Sequence, residues 1–223
     1  MTRRMIVPLI FGVVGVALLV SLGVWQVQRL AWKTAILAEI EAKLAAAPVA
    51  VPPEPTPEAD QYRRVQAEGV VGPGELHVYT TAPGQGVGYR VIAPFRLADG
   101  RPILLDRGFV PIGEKEAARR VGPLSVEGSL AWPRETDRFT SPPDREKNIW
   151  FARDVPLMAE ALGTLPVMLV VSASDDPGQP LPMPVTVNIP NNHLQYAVTW
   201  FGLAVVWAMM TGYQLWRIKR RID

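Results

Sequence analysis

The 223-residue sequence contains no cysteine and only two histidines, His77 and His193. Without a thiol it can form no disulfide, no zinc–thiolate site, no iron–sulfur cluster and no cysteine-based redox or catalytic centre. That lack is compatible with an oxidising compartment but does not require one. Net charge is also small, at +2, with 23 Lys and Arg nearly balanced by 21 Asp and Glu, so the sequence carries no nucleic-acid footprint. It has no HExxH, no GxSxG, no phosphate-cradling glycine loop and no internal repeat. The usual hydrolase and nucleotide-binding templates are therefore missing, and imidazole chemistry has only two addresses.

What the sequence does have is two long uncharged runs. The first extends from Met5 to Gln28 and the second from Leu194 to Trp216. The second is about 35 Å long as a helix at 1.5 Å per residue, enough to cross a bilayer. The first is too long for a signal peptide, lacks a small-residue cleavage site, and ends at an interface-like Trp25-Gln26-Val27-Gln28-Arg29. Both are read as spanning helices. Gly12, Gly15 and Gly23 on the first, with Ala204 and Ala208 on the second, allow close helix packing.

Arg3 and Arg4 precede the first run, and Arg217, Lys219, Arg220 and Arg221 follow the second. The positive-inside rule then puts both termini in the cytoplasm and the middle of the chain outside, with Arg29 and Lys33 as a smaller opposing pair. Four residues before the first span, with no transit-like segment, lead us to expect a bacterial inner membrane.

The chain divides into a span (5–28), an amphipathic helical extension (29–47), a proline-rich linker (48–60), a β-rich domain (61–176), a proline-rich return (177–191), a second span (192–216) and a basic tail (217–223). In the extension, Leu30, Ala31, Leu37, Ile40 and Leu44 recur at helical spacing. In the middle domain, segments rich in β-branched and aromatic residues fall at 62–71, 75–81, 89–97, 102–110, 124–132, 148–153 and 167–172. Asp99-Gly100 marks a hairpin, and 114–120 and 156–162 read as short helices, the second capped by Asp154 with Pro156 in its first turn. The expected fold is two transmembrane α-helices flanking an extracytoplasmic, mainly antiparallel, small barrel-like β domain with short helices.

In that domain Ser141 and Asp144 have no histidine nearby in sequence, so a catalytic dyad there is disfavoured. Asp106-Arg107-Gly108 reads as a turn or salt bridge, and His77, alternating with Leu76 and Val78, reads as an outward-facing surface residue. The membrane edge is richer. Pro190 cannot continue a helix backwards and Asn191 or Asn192 is a suitable N-cap, so the second span starts at or beside His193. His193, Tyr196 or Ala197, Trp200, Ala204 and Trp207 share a face, and Trp25, Arg29, Trp32 and Lys33 form a stripe at the same surface. Two readings fit this pattern. One is an aromatic belt with snorkelling cations. The other is a porphyrin seat in which His193, kept neutral by the positive end of the helix dipole, is an axial ligand to iron. Trp200 would then lie along the ring, with Arg29 and Lys33 drawing the propionates.

The stretch Leu22-Gly23-Val24-Trp25-Gln26-Val27-Gln28-Arg29-Leu30-Ala31-Trp32-Lys33 resembles the opening signature of the surfeit-locus family of cytochrome c oxidase assembly proteins. Tyr62-Arg63-Arg64-Val65 with Gly69 resembles its next block. Gly88 to Phe95 and Leu104 to Pro111 resemble the central one, and Asn191 to Phe201 the closing one. Asp106 stands where Asn is usual and Phe109 where Trp is usual. The resemblance implies a non-enzymatic role in building haem-a-containing oxidases, with haem a as transient cargo, His193 as iron ligand and Trp200 lining the site. It further implies oxidase subunit I as partner, with haem a synthase a second candidate and membrane lipid around the spans. The competing expectation is a scaffold that stabilises subunit I without touching haem.

Overall fold

The structure, a computed structural model, describes residues 3–176, 180–186 and 190–221. It resolves into a helical unit, Met1–Glu39 with Val187–Asp223, and a β unit, Ile40–Thr186. Helix α1 (Arg3–Ala45) runs through 43 residues without a break at Arg29. It is about 64 Å long, roughly twice what a hydrocarbon core demands. Pro8 lies near its start, where it removes a single backbone bond. Past its end Pro48 forces the preceding residue out of helical geometry.

Among its described residues the β unit comprises β1 (Val49–Ala50), α2 (Pro57–Asp60), β2 (Arg64–Val71), β3 (Leu76–Ala82), β4 (Gly86–Leu97), β5 (Pro102–Pro111), β6 (Gly122–Ala131), α3 (Val155–Leu162) and β7 (Met168–Ser174). The strand order is β1-β2-β6-β7-β5-β4-β3, and Gly69–Val71 of β2 also pair with Leu97–Phe95 of β4. That second pairing closes β2, β6, β7, β5 and β4 into a ring, leaving β1 and β3 as flanking strands. The ring is antiparallel except between β5 and β7. The expected barrel-like domain is thus present.

Strand β5 shows why the ring holds. Ile103 and Leu105 point into the barrel core with Val65, Phe95, Leu130 and Leu169. Leu104, one residue out of phase, packs outside with Ile92, Trp150, Met158 and Met168 under α3. With both faces covered, β5 is buried along nearly its whole length. Each such aliphatic side chain stabilises the unit by about 1.5–3 kcal/mol. Helix α3 is capped as expected: Asp154 accepts from the Leu157 amide at 3.1 Å, Pro156 lies in its first turn, and left-handed Gly163 ends it.

Four local expectations need correcting. Segment 148–153 is not a strand. Only Trp150 bridges β3, exchanging backbone bonds with His77 and Tyr79, and Asn148 beside it has a positive φ that breaks the extension. Segment 114–120 is not an α-helix but a 3-10 turn at Ile112–Glu114 and a loop. There the Arg119 guanidinium donates to the carbonyls of Glu114, Lys115 and Ala117, and Glu114 and Lys115 are the acceptors a helix would need. The proline-rich stretch 48–60 includes β1 and α2, and Arg101 donates to the Val51, Pro52 and Pro53 carbonyls, tying it to the β4–β5 turn. His77 is buried, not outward-facing, because Trp150 and the Arg119 loop cover that side of β3. Of the return segment, Leu181 pairs with Phe109 and Met183 accepts from Arg90, while 177–179 and 187–189 lie outside the described residues.

Candidate functional site

Helix α4 (His193–Lys219) begins at the histidine itself. Asn192 is its cap residue by position, but its side chain makes no capping bond, so the amides of the first turn receive none from it. Within the helical unit α4 packs antiparallel on α1 in a fixed register. Side chains added at Gly12, Gly15 and Gly23 would come within 2.1 Å of Thr211, 2.3 Å of Trp207 and 2.7 Å of Phe201, respectively. Phe11 and Trp207 meet with ring centroids 5.3 Å apart. Ala197 and Ala204 are buried, whereas Ala208 is exposed, so only Ala204 of the expected pair belongs to the contact. The remaining faces are apolar and open, Leu18 being 60% and Val205 57% exposed. Both helices are long and apolar enough to cross a membrane.

The polar contacts of this pair gather where α4 starts. Gln26, buried on α1, places its side-chain oxygen 2.7 Å from Nδ1 of half-buried His193. Two helical turns further along α1, Lys33 Nζ donates to the Pro190 carbonyl, just ahead of α4. Arg29 stacks on the two indoles of its own stripe, 5.8 Å from Trp25 and 4.8 Å from Trp32. Trp200 is half-buried, two turns beyond His193 on the same face. The side-chain oxygen of Asn191 is buried without a hydrogen-bond partner among the described residues.

His193 and Lys33 are thus both drawn to the start of α4, while Arg29 rests on tryptophan. Sequence reasoning passed over Gln26. Its signal was an amide inside an uncharged run, at helical spacing from Arg29 and Lys33. Among the described residues no three His, Asp or Glu side chains gather to hold a bare metal ion. A single imidazole can still ligate a metal that brings its own equatorial donors, as a porphyrin iron does.

The β unit has polar clusters of another kind. Strand β5 bulges at Arg107, where Val91 pairs with Gly108 but Ile92 with Asp106, and both Asp106 and Arg107 are buried there. Asp106, fully buried, accepts from Arg90 and from Arg153 at 3.2 Å. Gly108 has φ 113°, and a side chain there would strike the Leu181 carbonyl at 2.1 Å. Burial would raise the Glu135 carboxyl, but the hydrogen bonds and charge of Arg153 outweigh it and hold it below the usual range. Burial would likewise weaken the hold of Arg153 on its proton, and Glu135 and Asp106 reverse that. Arg107 is lowered by burial, partly offset by Asp176 at 3.0 Å. His77 meets Glu75 at 3.0 Å and Asn148 at 3.2 Å, so both its ring nitrogens have partners. These groups are internally satisfied and brace the barrel.

The order of these features along the chain matches a known family: residues 13–205 fit the SURF1 family. The chain belongs to the SURF1 family. A SURF1-like protein of Monosiga brevicollis is 34% identical over 206 residues, covering 83% of this chain and 79% of its own length. Surfeit locus protein 1 of Homo sapiens is 31% identical over 208 residues, covering 82% and 69%. That of Rattus norvegicus is 30% identical over 206 residues, covering 82% and 67%. SURF1 proteins are known as assembly factors of cytochrome c oxidase.

Proposed function

We propose that this protein is a membrane-held assembly factor of cytochrome c oxidase that binds haem a at His193 and assists its delivery to subunit I. Family membership supports the assembly role and a non-catalytic one. The observation that carries the haem reading is the lone, half-buried imidazole at the first residue of α4, held against α1 at the apolar edge of a helix pair. Haem supplies an iron with four ring nitrogens, leaving axial positions for the protein. His193 would occupy one of these, and Trp200 would cover part of the ring face. Lys33 keeps two donors beyond the one given to Pro190, and Arg29 is held nearby on its indoles, so both can meet propionates. One protein ligand suits a carrier, since a site that held its cargo too tightly would not release it.

In the same reading both termini are cytoplasmic, the β unit is periplasmic at a bacterial inner membrane, and the open helix faces meet lipid. The β unit would recognise subunit I or haem a synthase. The test is to express the chain in cells making haem a, extract it in mild detergent and compare visible spectra of wild type and His193→Ala. Haem a should accompany wild type and be lost from the variant. Wild type free of haem a would favour a scaffold acting on subunit I alone, and equal haem in both would remove His193 as ligand.

A further inference from the structure

We propose that Gln26 is the positioning residue of the His193 site, fixing which ring nitrogen is offered to a ligand. Its side-chain oxygen lies 2.7 Å from Nδ1, and because an amide oxygen can only accept, this contact is a hydrogen bond when Nδ1 is the donor. In the neutral ring Nε2 is then the unprotonated nitrogen, with its lone pair directed away from Gln26. That is the form an imidazole must take to ligate a metal through Nε2, and the amide imposes it before any metal arrives.

Three features make this a built contact. The residues are 167 positions apart, on different helices, so no local turn brings them together. Gln26 is only 9% exposed on a helix otherwise uncharged from Met5 to Gln28, where a polar side chain without a partner would be costly. Lys33 independently anchors the chain ahead of α4 through the Pro190 carbonyl. Lys33 thereby sets where the histidine's backbone enters, and Gln26 sets the rotation and protonation of its ring.

The choice of a neutral amide also has a consequence. A carboxylate on Nδ1 would draw the proton away, make the imidazole a stronger donor and tighten its hold on iron. Glutamine orients the ring without adding that strength, which fits a site meant to let go. This functional part rests on the haem reading, whereas the tautomer does not.

The test uses the full chain in detergent with ¹⁵N-labelled histidine. The two histidine signals are assigned with His77→Gln, and the neutral rings are read by their nitrogen shifts without haem. Wild-type His193 should show a protonated Nδ1 and unprotonated Nε2. Gln26→Met, of similar shape but no acceptor, should lose that preference, and Gln26→Glu should keep it. Titrated with haem a, Gln26→Met should bind about 10- to 100-fold more weakly. Gln26→Glu should bind and shift the iron's reduction potential downward. A wild-type His193 protonated on Nε2, or a Gln26→Met protein matching wild type in nitrogen shifts, would overturn the proposal even if haem binds normally. The expected tautomer in a wild type that takes up no haem a would sustain the orienting role and sink the haem reading instead. Unchanged helical circular dichroism in Gln26→Met separates loss of orientation from loss of fold.

Discussion

Asp106 is the residue whose environment makes the sharpest demand. It is fully buried and receives both Arg90 and Arg153, so removing its carboxylate takes the charged acceptor from buried Arg90 and one of two carboxylates from Arg153, which keeps Glu135. Asp106→Ala should cost about 3–5 kcal/mol. Asp106→Asn keeps an acceptor and should cost about 1–3 kcal/mol. Urea unfolding of the full chain in detergent, followed by a β-unit signal, would rank them, and equal losses would show that charge alone matters. At this scale the sequence announced a turn or a salt bridge at Asp106-Arg107 but not the bulge between them and Gly108 that lets both side chains be buried. A bulge depends on a partner strand, and nothing local encodes it. His77 misled for a similar reason: its alternation was read correctly, but its cover comes from Trp150 and Arg119, more than forty residues away.

Among the elements, the two long helices were the most legible, because hydrophobic length and flanking charge are properties of a segment by itself. Their mutual packing was legible only as a glycine stripe. The register supplies its test. At Gly15 a side chain would collide with the Trp207 indole at 2.3 Å, whereas one at Gly202 would meet nothing within 4 Å. Gly15→Leu should destabilise the helix pair by about 1–3 kcal/mol and lower its thermal midpoint in detergent, with a shift in tryptophan emission. Gly202→Leu should leave both unchanged. The segment 114–120 shows the opposite lesson. Its composition favours a helix, yet one arginine captures the carbonyls, and such a capture is invisible to propensity. The strand expected at 148–153 failed at Asn148, whose left-handed backbone no periodicity signals.

For the molecule as a whole, two predictions follow from charge. Glu135 is held below its ordinary value of 4.5 by Arg153, so the stability it contributes is complete above that pH and is lost as pH falls through its lowered folded value. Arg153→Met should flatten that acid limb of a stability–pH curve. The proposed topology can be read because the chain has no native cysteine. Ser141→Cys should react with an impermeant thiol reagent applied from outside the cytoplasm, and Arg221→Cys only after the membrane is opened; the reverse pattern would invert the orientation. The contact between Gln26 and His193 also sets a timetable. At about 5–20 residues per second, synthesis reaches the histidine roughly 8–33 s after the glutamine. In the proposed topology α1 spends that interval in the membrane with its glycine groove empty and its amide unmatched. On that reading the contact that orients the histidine forms only in the last moments of translation.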